Sequence, residues 1–130
     1  MTNARIQIFI MFILFGLFIF EGCYYDNFLA KDDAEFSGDV SFSADIIPIF
    51  NKDCNTSGCH NTGGTKPDLS VSNAFSALSN GNYINTDNPE ESPLYQWMKG
   101  NRATPMPVSG SVSEYNAKVL AWIKQGSLNN

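Results

Sequence analysis

Apolar residues recur along this chain at helical spacing in several short stretches, and nowhere do they alternate with polar ones long enough to predict a strand. Ile46, Ile49 and Phe50 fall at i, i+3 and i+4 behind Asp45, which predicts a helix capped by Asp45 and running straight into Cys54. Pro48 costs little there, because an N–H in the first turn has no partner inside the helix. Ser72 is the expected cap of a short helix from Asn73 to Asn80, with Ala74, Phe75 and Leu78 apolar and Gly81 as its stop. Ser92-Pro93 predicts another, through Leu94, Trp97 and Met98 to Gly100. The clearest helix begins at Ser111 or Ser113 and reaches about Gln125. Tyr115, Val119 and Ile123 recur at i, i+4 and i+8 beside Leu120 and Trp122, Ser111 and Glu114 are spaced as a capping box, and Gly126 ends the run. The segments 61–66, 82–92 and 102–110 are loops by composition, so the pattern predicts an all-α domain over residues 42–130.

Ahead of that domain the pattern changes twice. Residues 23–41 carry Asp26, Asp32, Asp33, Glu35 and Asp39 with no sustained apolar period, as expected of a flexible acidic tether. Residues 1–22 are expected to form an export signal, with Arg5 as the only charge before an apolar run from Ile6 to Phe20. That run is shorter than the roughly 20 residues of a membrane-spanning helix. Phe20-Glu21-Gly22-Cys23 resembles the lipobox of bacterial lipoproteins, with Glu21 as a departure from it. The resemblance implies cleavage before Cys23, lipidation of that cysteine, and a membrane-anchored protein facing the periplasm or the cell exterior.

Charge narrows the partners. The 130 residues carry a net charge of −5, and removing Arg5 and Glu21 with the signal leaves it unchanged. An acidic chain disfavours nucleic acid or an anionic membrane surface as the main partner, and a basic protein partner would be steered towards it. Three cysteines leave one odd in an exported protein, and lipidation of Cys23 leaves Cys54 and Cys59 for one shared task.

The chemistry concentrates in Cys54-Asn55-Thr56-Ser57-Gly58-Cys59-His60, which holds two thiols and the sole histidine of the sequence. A cysteine followed directly by histidine, with a second cysteine shortly before, is how c-type haem is attached: the thiols add to the vinyl groups and the imidazole ligates iron. The usual spacing is C-x-x-C-H; here it is C-x4-C-H, with Ser57-Gly58 suited to looping out the additional residues. Two other readings of the same residues stay open, a small disulfide between Cys54 and Cys59 and a zinc site completed by carboxylates.

With a first helix entering this motif, Pro67-x-Leu69 after it and Met106-Pro107 before a final amphipathic helix, the segment from about Phe42 to Leu128 resembles a class I cytochrome c domain. The resemblance covers about two thirds of the chain. It implies first and last helices packed around one covalent haem c, with Cys54 and Cys59 as thioether anchors, His60 as proximal iron ligand and Met106 as distal ligand. Pro67 would accept the imidazole N–H through its carbonyl. Met98 is a rival to Met106, but it sits on a short helix beside Trp97, whereas Met106 lies in a polar loop stiffened by Pro105 and Pro107. Trp97, Tyr83 and Arg102 are candidate neighbours of the ring. The expected function is one-electron transfer between redox partner proteins, without catalysis, since a haem with both axial positions filled by the protein has no open site for substrate; nothing in the sequence supports hydrolysis, as no nucleophile motif is present. The alternatives are a disulfide-stapled binding lipoprotein and a haem sensor with a weakly held sixth ligand.

Overall fold

The computed structural model describes residues 35–130; the expected signal, Cys23 and most of the expected tether lie outside the described residues. A π-helical turn, Phe42–Ile46, leads into α1 (Ile47–Asp53). There follow α2 (Ala74–Asn80), a 3-10 turn (Pro89–Glu91), α3 (Pro93–Lys99) and the longest helix, α4 (Ser113–Lys124). Among the described residues there is no strand, so this part of the chain is all-α, and none of its helices is long and apolar enough to cross a membrane.

The helices stand where the apolar spacing predicts them, but several caps differ. Ser41, not Asp45, starts the first helical segment: its Oγ accepts from Ala44 N–H at 3.2 Å while Asp45 Oδ2 accepts from Ser41 N–H at 2.9 Å. The two side chains thus satisfy donors reciprocally, and the wider π turn puts the acid one position later than in an ordinary capping box. Ser72 caps nothing; α2 begins after a turn held by Asp68 and Ser70, with Ala74 N–H bonded to Ser70 O. Ser111 and Glu114 form no box, because Ser111 Oγ accepts from Asn116 Nδ2 at 2.7 Å and Glu114 pairs with Lys118 one turn on. Ser92 does precede α3, but its hydroxyl is buried against Asn85, whose N–H it accepts at 2.9 Å.

Packing begins slightly earlier than expected. Val40, near the end of the expected tether, is buried; its N–H donates to Gln125 Oε1, and Gln125 Nε2 donates to Gly38 O. Asn130 completes the junction, accepting from Phe42 N–H through its side chain and from Ser43 N–H through its carbonyl. The start of the first helical segment is therefore stapled to the residues that follow α4.

Phe42 ties the helices together from the inside. Its ring lies 5.1 Å from Trp122 on α4, 5.4 Å from Phe75 on α2 and 6.4 Å from Phe50 on α1, the last two contacts edge to face. Ile46, Phe50, Leu78, Val119, Trp122 and Ile123 are wholly buried around it. Truncating an aromatic side chain in such a setting costs about 3–5 kcal/mol, so this cluster fixes α1 against α4 and sets where Cys54 emerges. At the other end of the same contact, Tyr115 Oη of α4 donates to Asp53 Oδ2 at 2.7 Å.

Candidate cofactor site

Cys54 is the residue at which α1 stops: its N–H still donates to Phe50 O at 2.9 Å, but its backbone has left helical values. One turn back, Phe50 lies on the same side of the helix, so the core that buries Phe50 also buries the Cys54 thiol. Burial, then the charge of Asp53, then Cys59 push that thiol up to about 11, which keeps it protonated near neutrality. The next residues loop outward. Thr56, Ser57 and Gly58 are exposed, and Gly58 takes a left-handed φ of 82° in open space before His60 N–H bonds Cys54 O at 3.1 Å and closes the loop. The added residues of the C-x4-C-H spacing are taken up in solvent, without disturbing the core.

His60 is held by the segment that follows it. Leu69 N–H donates to His60 O at 2.7 Å and Thr65 N–H to Cys59 O at 2.8 Å, folding residues 61–69 back over the histidine. Gly64 is needed for that fold, since a Cβ there would fall 2.3 Å from Cys59 O. The turn brings the carbonyls of Thr65 and Pro67 each to 3.1 Å from His60 Nδ1. Carbonyls only accept, so Nδ1 is the donor here and Nε2 is the ring nitrogen left for a ligand. Asp68 braces the turn, accepting from Ser70 N–H and Oγ and from Asn73 Nδ2. Those bonds, chiefly the two from Ser70, hold its carboxyl below the ordinary range.

A cavity of about 400 Å3 opens beside His60, within the roughly 300–1,000 Å3 range of small-molecule sites. Cys54, Cys59, His60, Pro67 and Met106 all line it, so the structure brings these residues to one space. Phe50, Leu69, Leu94, Trp97 and Pro107 make the walls predominantly apolar, and Tyr83 joins them, whereas Arg102 is not part of the lining. Met98 lines the same cavity from α3 and is buried, while Met106 is half-buried in the loop and fastened to α3 by its N–H to Trp97 O at 3.1 Å. Both methionines therefore line the site from adjoining elements.

Sequence reasoning passed over Asp53 and Lys66, the two fully charged side chains in the lining. Asp53 sits one residue before Cys54, and its role depends on Tyr115, which lies 62 positions away in the chain. No local signal marks that pair. Among the described residues, no three His, Cys, Asp or Glu side chains form a cluster that would hold a metal ion by themselves. The apolar walls, the two free thiols and the available imidazole nitrogen suit a largely apolar ligand with a group the imidazole can bind. No protein-family model, curated protein or solved structure matches the chain.

Proposed function

We propose that this chain is a c-type cytochrome of the class I kind, carrying one covalent haem c and passing single electrons between redox partner proteins. The observation that carries this reading is the single cavity lined by Cys54, Cys59, His60, Pro67 and Met106, with His60 Nδ1 already bound to the Pro67 carbonyl. When bound, the haem supplies a reversible one-electron couple. Cys54 and Cys59 would hold it by thioethers, each formed by addition of S–H across a vinyl double bond. His60 would give Nε2 to the iron, and the Pro67 carbonyl keeps the imidazole oriented and raises its basicity. Met106 would fill the sixth position, which leaves no site for substrate and favours a carrier over an enzyme. Phe50, Leu69, Leu94 and Trp97, which line the cavity, would keep water from the group it holds.

The same reading places the protein outside the cytoplasm as a lipoprotein anchored at Cys23, a proposal that rests on the sequence of residues 1–23. A lipid anchor would keep the carrier near membrane-bound donors and acceptors. The test is a denaturing gel stained for haem peroxidase activity, run on protein exported alongside a c-type maturation system. Wild type should stain and a Cys54→Ala, Cys59→Ala double variant should not. An unstained wild type beside a stained control cytochrome would overturn the reading.

A further inference from the structure

The cavity wall carries a fixed negative charge. Asp53 lines the cavity next to Cys54, and Tyr115 Oη anchors its Oδ2 at 2.7 Å, so the carboxylate is tied to α4 rather than free to turn into solvent. Lys52, the neighbouring cation, lies over the Tyr115 ring, its Nζ 5.6 Å from the centroid. Lys66, the other charged lining residue, is exposed. The carboxylate is also felt inside the site, since its charge is the second cause, after burial, of the high Cys54 value.

We propose that Asp53 is a tuning residue that lowers the reduction potential of the group held in this cavity, with Tyr115 holding its carboxylate in place. The inference rests on the haem reading above. Reduction of a ferric centre removes one unit of positive charge, so a nearby carboxylate stabilises the oxidised form more than the reduced one. The low-dielectric walls on this side of the site strengthen that preference relative to water.

The test is a spectroelectrochemical titration of the haem-loaded protein, comparing wild type, Asp53→Asn, Asp53→Glu and the remote control Asp87→Asn. Asparagine keeps an oxygen for the Tyr115 hydroxyl and removes only the charge. The expected result is an upward shift for Asp53→Asn, with the ferric-to-ferrous ratio at a fixed potential falling about tenfold, which is about 59 mV for one electron. Asp53→Glu should return most of the shift and Asp87→Asn should show none. Asp53→Ser is read in place of the asparagine variant should the latter load poorly. A haem-loaded variant at the wild-type potential, or equal shifts in the asparagine and glutamate variants, would overturn the role of the charge and leave the carrier reading intact. A wild type that binds no haem would overturn both.

Discussion

Two methionines face one cavity, and substituting each with leucine separates a ligand from a packing residue. Met98 is 2% exposed on α3, whereas Met106 is half-buried in a loop. Leucine nearly conserves the volume of methionine, so Met98→Leu should cost less than about 1.5 kcal/mol, while Met98→Ala should cost about 2–5 kcal/mol by leaving a void at a buried position. Neither change should alter the iron if Met106 is the ligand. Met106→Leu deletes the thioether from a loop anchored independently by its own N–H to Trp97 O, so the backbone should stay while the sixth position opens. The assay is paired: guanidinium unfolding of the haem-loaded proteins for stability, and the ferric absorption spectrum with midpoint potential for ligation. Met106→Leu should lose the iron–sulfur absorption, bind carbon monoxide when reduced, and fall in potential, because methionine ligation raises it. Loss of those features in Met98→Leu, with Met106→Leu unchanged, would refute the assignment.

Two further outcomes follow from the titrating groups. The Asp68 carboxyl is held below its ordinary value of 3.8 by Ser70 and Asn73, so the stability it confers is present above that value and is lost as pH falls through the lower folded-state value. Asp68→Asn should therefore unfold at lower temperature than wild type at neutral pH, with the gap closing in acid; a gap independent of pH would show that the carboxylate charge is not involved. In haem-free protein Cys54, buried and pushed up to about 11, should be alkylated by iodoacetamide far more slowly than the half-exposed Cys59. With the folded value raised above the ordinary 9.0, the contribution of the neutral thiol is complete below about 9 and lost as pH rises through about 11, and peptide mapping of alkylated Cys54 across that range checks it.

The helices were legible because each is amphipathic over enough residues for the 3.6-residue period to appear, as in Tyr115, Val119 and Ile123. Their caps were less so. Ser72 and Ser111 have the right chemistry at the right distance, yet Asp68 and Asn116 compete for the neighbouring groups, and which serine wins depends on how the loop folds back. The convergence of Cys54, Cys59, His60, Pro67 and Met106 was anticipated from motif spacing together with the family resemblance. Asp53 was not, because its partner Tyr115 belongs to the far helix. Nor was the docking of Val40 on Gln125, since a polar stretch with one valine carries no period at all.

The site and the helical core depend on each other in one direction more than the other. Every loop that reaches the cavity is tied by backbone bonds to a helix end: Cys54 to Phe50, Leu69 to a histidine that itself bonds Cys54 O, and Met106 to Trp97. The end of α1 is fixed in turn by the Phe42, Phe50 and Trp122 rings and by the Asp53–Tyr115 bond to α4. A change in the loops, such as one at Met106, leaves these contacts in place and, on the haem reading proposed above, should be read mainly at the iron. A change at Trp122 should loosen the packing that holds α1 against α4 and so weaken stability, and on the haem reading proposed above it should alter the potential as well. The small apolar core therefore sets where the end of α1, with Asp53 and Cys54 side by side, stands against α4.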